Sequence, residues 1–285
     1  MRFRSVDQLV AQAEVGLKYR KRLGLVGPAV ADHPRFEELL TRLKEMGAKI
    51  SVSSLRVKPL YSIALRELAK GGTRTVALAP EAGSERLRRV IKKGITEDDI
   101  LKAMHQVAEE KIKQIKLYFM IGLPTETDED IAAITDLTLK CKAILDRRQT
   151  GTRLILSVAP FVPKAGTPFE WLPMEKPSVL KQRLAWLKKE LQPKGIQIKS
   201  ESPDWSEVQA VLARGDAKLA EVLANVEAVS LSGWRKAVRK YDLDTNHYAH
   251  ERWNTTEELP WSILDSGTKP SCLELELQRA LSQKP

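Results

Sequence analysis

Cysteine is nearly absent from this 285-residue sequence: Cys141 and Cys272 are its two, and they lie far apart. That excludes a disulfide framework and any C-x-x-C metal motif. Free thiols in so small a number fit a reducing compartment, so the chain is expected in the cytoplasm. Long apolar runs are also missing. No stretch approaches the roughly 18 residues that a membrane-crossing helix needs, so no membrane partner is expected. The start, Met1-Arg2-Phe3-Arg4-Ser5, has no apolar stretch behind it, which argues against a secretory signal. There is no Walker loop, nucleophile elbow or zinc spacing, and His33, His105, His247 and His250 do not form a metal set.

What is present is ordinary for a soluble folded chain: 42% hydrophobic and 29% charged residues. The length suits one large domain, or one domain with a smaller companion. The net charge of +10 admits a nucleic-acid or phosphate partner. It equally admits a set of solvated helix faces, and the interleaving of Lys and Arg with Asp and Glu favours the second reading. The aromatics do not line up between basic residues as on a base-stacking platform, so a nucleic-acid partner is not expected.

Helical and strand patterns alternate up to about residue 200. Ser5 caps a helix to about Tyr19, and Leu23 to Gly27 is long enough for a buried strand. Asp32-His33-Pro34 signals a helix start, with Phe36, Leu39, Leu40 and Leu43 at helical spacing, and Ile50 to Ser53 reads as the next strand. The cycle repeats with a helix over Tyr61–Lys70 and a strand over Thr75–Ala79. Ser84 then caps a short helix, and Thr96-Glu97-Asp98-Asp99 has capping-box spacing. Ile115–Ile121 reads as a strand, Thr127 or Asp128 opens a helix, Leu154–Val158 is a strand, and Pro177 begins a further helix. Five strand–helix units in a row predict an α/β fold with a parallel sheet, either open or closed into a barrel. After residue 200 the alternation stops, and residues 196–285, joined near residue 195, read as a small, mainly helical C-terminal region containing Trp234, Trp253 and Trp261.

In parallel α/β folds, chemistry gathers at the C-terminal ends of strands. The third strand ends in Pro80-Glu81-Ala82-Gly83-Ser84. Glu81 there can accept from ribose hydroxyls or an amino group, Gly83 would let a ligand approach the backbone, and Ser84 caps a helix whose N-terminus favours anions. Glu81 and Ser84 can equally do no more than order a helix start. The fourth strand ends in Gly122-Leu123-Pro124: Gly122 removes a side chain where the strand exits, and Pro124 forces a turn. Backbone groups left free there could bind a purine edge, or the segment is a well-capped loop. After the fifth strand, Pro160, Pro163 and Pro168 stiffen a loop in which Lys164 either meets a carboxylate or phosphate or is solvated.

Taken in order, Ala79 to Arg88, Lys93 to Glu97, Lys116 to Thr127 and Phe161 to Trp171 resemble the second half of a radical S-adenosylmethionine (radical SAM) core. Arg214-Gly215-Asp216 and Leu259-Pro260-Trp261 are similar to the same family, most of all to the subgroup that often carries an N-terminal cobalamin-binding domain. The resemblance implies a partial barrel of six strand–helix units, a [4Fe–4S] cluster held by C-x-x-x-C-x-x-C after the first strand, and S-adenosyl-L-methionine as cofactor. It implies that Glu81 faces the ribose or amino group and that the Gly122 region lies near adenine. The cluster motif does not occur in these residues. The expectation is therefore an incomplete (β/α) barrel of about five strands over residues 1–195, lacking its first strand and cluster loop. The run Leu23 to Gly27 would lie at an exposed sheet edge. A separate chain would carry the cluster-binding and cobalamin-binding segments, and the chain would be a truncated or split radical-generating enzyme, inactive alone. Two competing readings are a non-catalytic nucleotide- or partner-binding remnant, and an ordinary α/β-barrel enzyme using Glu81 and Lys164 in acid–base chemistry.

Overall fold

Eighteen helices and strands carry the alternation, in a computed structural model that describes residues 2–27, 30–52, 55–265 and 267–283. In chain order they are α1 (Val6–Leu17), β1 (Arg22–Leu25), α2 (Phe36–Glu45), β2 (Lys49–Val52), α3 (Ser62–Lys70) and β3 (Thr75–Glu81). Next come α4 (Glu85–Val90), α5 (Glu97–Glu109), β4 (Gln114–Ile121), α6 (Asp128–Arg147), β5 (Arg153–Pro160) and α7 (Pro177–Leu191). The chain closes with β6 (Gln197–Ser200), α8 (Pro203–Arg214), α9 (Leu219–Ala224), α10 (Leu231–Lys240), α11 (Thr245–His250) and α12 (Pro270–Leu281). Ser53, expected at the end of the second strand, lies outside the described residues.

Local chemistry sets the helix starts. Ser5 with Gln8, Thr96 with Asp99 and Thr127 with Asp130 form reciprocal capping boxes, so two orphan donors are satisfied at each start. Phe36, Leu39, Leu40 and Leu43 form the buried stripe of α2, as their spacing predicts. The strands pair in parallel throughout. β1 and β2 form a two-stranded sheet, and β3-β4-β5-β6 form a four-stranded one. One face of the inner strand β4 is sealed: Ile115, Leu117, Phe119 and Ile121 are at most 1% exposed, while Tyr118 on the other face is exposed. The sealed face is the one that helices cover in a parallel sheet. A backbone bond from Leu55 N–H to the Ala77 carbonyl (3.1 Å) links the segment after β2 to β3. The fold is α/β, and β1 is an edge strand paired with β2 alone among the described residues.

Two features depart from the sequence pattern. A sixth strand, β6, pairs with β5 through Ile155↔Gln197 to Val158↔Ser200, so the sheet runs past residue 195. The helices after β6 also share the main core: Trp234, Tyr248, Trp253 and Leu277 belong to the same buried cluster as the strands. Arg214 secures this packing. It is fully buried, donates to the carbonyls of Leu172 (3.2 Å) and Glu251 (3.1 Å), and stacks on Trp253 with its guanidinium 3.9 Å from the ring centre. No described helix is long and apolar enough to cross a membrane.

Candidate functional site

Parallel pairing brings the C-terminal ends of the strands to one rim. Glu81 ends β3, Gly122 follows β4 and Lys164 lies in the loop after β5, so the three share that rim. They do not share one pocket. A cavity of roughly 480 Å³ opens beside β1–β3, with Gly27, Leu55–Lys58, Ala79, Glu81 and Lys92–Lys93 in its wall. Gly122 and Lys164 are not part of that wall.

Glu81 is the carboxylate of this cavity. The β3–β4 register slips between Leu78 and Glu81, and Glu81 has φ 69°, a left-handed conformation that non-glycine residues rarely adopt. Such a conformation persists only where the surroundings fix it, and it is enriched at ligand sites. Lys93 Nζ donates to the Glu81 carboxylate at 3.0 Å. Arg56 and Lys58 add positive charge to the wall, each already paired: Arg56 with Asp32, and Lys58 with Asp99 at 3.0 Å. Leu55, Val57, Val30, Ile91 and Ile95 supply apolar surface. A polar anchor on an apolar bed with cations nearby suits a ligand that joins a flat apolar ring to hydroxyl and carboxylate groups. Arg56, Lys58 and Lys93 were not singled out in the sequence. They come from two separate connections, and only their position three to six residues past a strand or short helix could have pointed to them.

The loop carrying Glu81 is held from below by Arg88. Its side chain is 1% exposed and donates to the carbonyls of Ala82 (2.9 Å), Gly83 (2.9 Å) and Ile95 (3.1 Å). Burial pulls its pKa down from the usual guanidinium value.

Three expected contacts have other duties. A side chain on Gly83 would lie 2.2 Å from the Ile134 backbone nitrogen, so its small size admits α6, not a ligand. The Ser84 hydroxyl accepts from Leu87 N–H (3.1 Å) and donates to the buried Asp130, which also pairs with Arg86. The Gly122 amide is not free for a purine edge: it donates to Glu126 Oε2 at 2.6 Å. Gly122 has φ 78°, and a side chain there would press on Leu180 at 2.8 Å. Pro124 shapes the turn between Gly122 and Glu126, whose amide donates to the Leu123 carbonyl (3.0 Å). Lys164 is exposed, and its carbonyl accepts from the Thr167 hydroxyl at 2.7 Å. Above β3–β5 the rim is filled by Ala82, Leu123 and Phe161 packed with Ala280 of α12.

A [4Fe–4S] cluster needs several thiolates at one place. Cys141 is buried on α6, where burial pushes its thiol up to about 12, and Cys272 is exposed on α12. No three His, Cys, Asp or Glu side chains among the described residues are grouped to hold a metal ion. The cluster therefore does not fit this chain's own residues, and no chemical step is derived through it.

Two parallel sheets flanked by helices, with a ligand-sized cavity at the C-terminal strand rim, define an α/β protein. Residues 1–138, just under half of the chain, match the radical SAM superfamily. The chain is 39% identical over 224 residues to the uncharacterized protein MJ0966 of Methanocaldococcus jannaschii, covering 78% of this chain and 48% of that one. A second uncharacterized protein of that organism, MJ1620, is 24% identical over 148 residues, half of this chain and 29% of the relative. The chain thus spans about half the length of the first relative and under a third of the second. Among solved structures, coproporphyrinogen III oxidase (HemN) from Escherichia coli, described as a radical SAM enzyme, aligns with TM-score 0.41 at 17% identity. It covers 65% of this chain and 46% of that one. A sugar phosphate isomerase/epimerase from Parabacteroides distasonis aligns with TM-score 0.34 at 13% identity, over 92% and 93% of the two chains.

Proposed function

We propose that this chain forms the nucleoside-binding wall of a radical SAM active site, with the cluster ligands contributed by residues outside these 285. The observation that carries the reading is the β1–β3 rim cavity, whose wall holds the Glu81 carboxylate, an apolar bed and the Arg56, Lys58 and Lys93 cations within the stretch that matches the radical SAM superfamily. Glu81 would accept from the ribose hydroxyls or the amino group of S-adenosyl-L-methionine, Leu55, Val57 and Ile95 would bed the adenine, and the cations would face its carboxylate. With the reduced cluster contributed by the other segment as electron donor, S-adenosylmethionine held there would supply radical-generating chemistry.

The segment with the cluster ligands would seat against the open edge of β1. A groove of roughly 700 Å³ runs along that edge between α1 and the segment before α2, walled by Leu9, Ala13, Leu23, Leu25, Val30 and Leu39. An unpaired parallel edge beside an apolar groove is a template for a further strand and its helix. The motif series from Ala79 to Trp171 supports the cobalamin-associated subgroup, and a cobalamin-binding domain would come with the same segment. Reconstituted anaerobically, the 285-residue chain alone is expected to retain no stoichiometric cluster by iron and sulfide analysis. A stable stoichiometric cluster would refute the assignment of its ligands elsewhere.

The cavity is tested by calorimetric titration with S-adenosylhomocysteine. Weak binding is expected for the wild type, because the methionine end lacks its cluster anchor. Glu81→Gln should weaken it roughly 10-fold, since a neutral amide is a poorer acceptor for two hydroxyls than a carboxylate. Equal affinity in both would mean that Glu81 is not the nucleoside contact.

A further inference from the structure

The opposite rim, at the N-terminal ends of the strands, carries the chain's positive charge. In sequence, Lys and Arg alternate with acids, but the fold sorts them. The six connections from a helix end to the first residue of the next strand hold eleven Lys and Arg. Four precede or open β1, two each serve β4 and β5, and one each serves β2, β3 and β6. Against these stands one carboxylate, Glu110, which is already paired with Arg66 at 3.0 Å. Along the opposite rim, in the connections that leave the strands, Lys and Arg are balanced by Asp and Glu.

The cations are neighbours in space. Lys49 N–H donates to the Lys21 carbonyl (2.8 Å), Arg22 reaches the Gly71 carbonyl (2.6 Å), Gln114 bonds Thr75 (2.8 Å), and Arg153 N–H donates to the Lys113 carbonyl (3.0 Å). Lys21, Lys49, Arg74, Lys113 and Arg153 therefore follow one another along the strand starts, and Lys194 lies in the short helical turn before β6. All six are exposed, and none is in an ion pair among the described residues. Paired strands lie about 4.8 Å apart, so the four starts of β3–β6 span on the order of 15 Å, with the starts of β1 and β2 beside them. Helix C-termini also end on this face and favour cations. That accounts for a basic residue in a last helical turn, such as Lys70 or Arg147, but not for a second set at the strand starts.

We propose that this face binds single-stranded nucleic acid through its phosphate backbone. A chain of regularly spaced phosphates matches a row of unpaired cations. Tyr19, 78% exposed between Lys18 and Arg20, offers a ring on which a base can stack. A membrane surface fits less well, because the large exposed aliphatic side chains Val26, Val229, Ile263 and Leu264 lie outside these connections.

The test is fluorescence anisotropy of a labelled 20-nucleotide RNA with the full chain at rising salt. About four phosphate contacts give a log–log slope near −3, hence about a 50-fold loss between 50 and 200 mM salt. The variant Lys49→Glu/Arg74→Glu/Arg153→Glu should bind at least 10-fold more weakly. A control with the same change of charge, Lys102→Glu/Lys218→Glu/Arg239→Glu on α5, the start of α9 and α10, should bind like the wild type. If charge reversal unfolds the chain by circular dichroism, glutamines at Lys49, Arg74 and Arg153 should reduce the slope by about 2. Three results would overturn the proposal: no RNA binding at 50 mM salt, equal loss in both triple variants, or binding to phosphatidylserine vesicles without binding to RNA.

Discussion

Replacing Arg88 with Met is expected to lower folding stability by about 3 kcal/mol and to weaken S-adenosylhomocysteine binding together with it. The guanidinium satisfies three carbonyls, of Ala82, Gly83 and Ile95, with its side chain 1% exposed. Hydrogen bonds to a charged donor contribute about 1.5–3 kcal/mol each, and a buried acceptor left unpaired costs about 1–3 kcal/mol. Methionine restores much of the volume but none of the donors. The loop it releases is the one that holds Glu81 at φ 69°. Arg88→Lys should fall between the two, because an ammonium cannot reproduce the planar fork. Denaturant unfolding measures the first effect and calorimetry the second. A loss under 0.5 kcal/mol would show that the three carbonyls find water instead.

The second large effect is expected at Glu126. Its carboxylate accepts from the Gly122 amide (2.6 Å) and from Arg183 (2.7 Å), with the two side chains 1% and 12% exposed. Glu126→Ala should cost about 3 kcal/mol, because it strands the Gly122 N–H and an almost buried guanidinium. Burial nevertheless pushes the carboxyl up to about 7, against the pull of Gly122 and Arg183. A carboxyl whose pKa is higher folded than unfolded stabilises the fold fully below the unfolded value, 4.5, and that contribution is lost as the pH rises through about 7. Glu126→Gln has no proton to lose. It should remain close to wild type in stability at pH 5 and flatten the decline of stability from pH 5 to 8. A Gln variant with the wild-type slope would assign that decline to other groups.

Much of this fold is legible in the residues because local signals agree with the topology. Ser5, Thr96 and Thr127 cap where their spacing predicts, and the Leu23–Gly27 run overlaps the edge strand β1, which starts at Arg22 and ends at Leu25. β6 was not legible, since in Gln197–Ser200 only Ile198 is buried and four residues give no period. The candidate site was half legible. Glu81 follows from its place at a strand end. The roles of Gly83 and Ser84 depend on α6, some fifty residues on, and no local pattern reports that contact. Arg86, Arg88 and Arg89 look alike in a helix, yet only Arg88 is sealed beneath the loop. The charge row along the lower rim is invisible in sequence for the same reason: its successive members lie 25 to 41 residues apart and meet only through the fold.

The position of the nucleoside is the most direct test of the functional reading. A crystal structure of the chain soaked with S-adenosylhomocysteine should place the ribose within hydrogen-bonding reach of Glu81, with the adenine against Leu55, Val57 and Ile95. Density for the ligand at any other place on the molecule, with the β1–β3 cavity empty at saturating concentration, would contradict it.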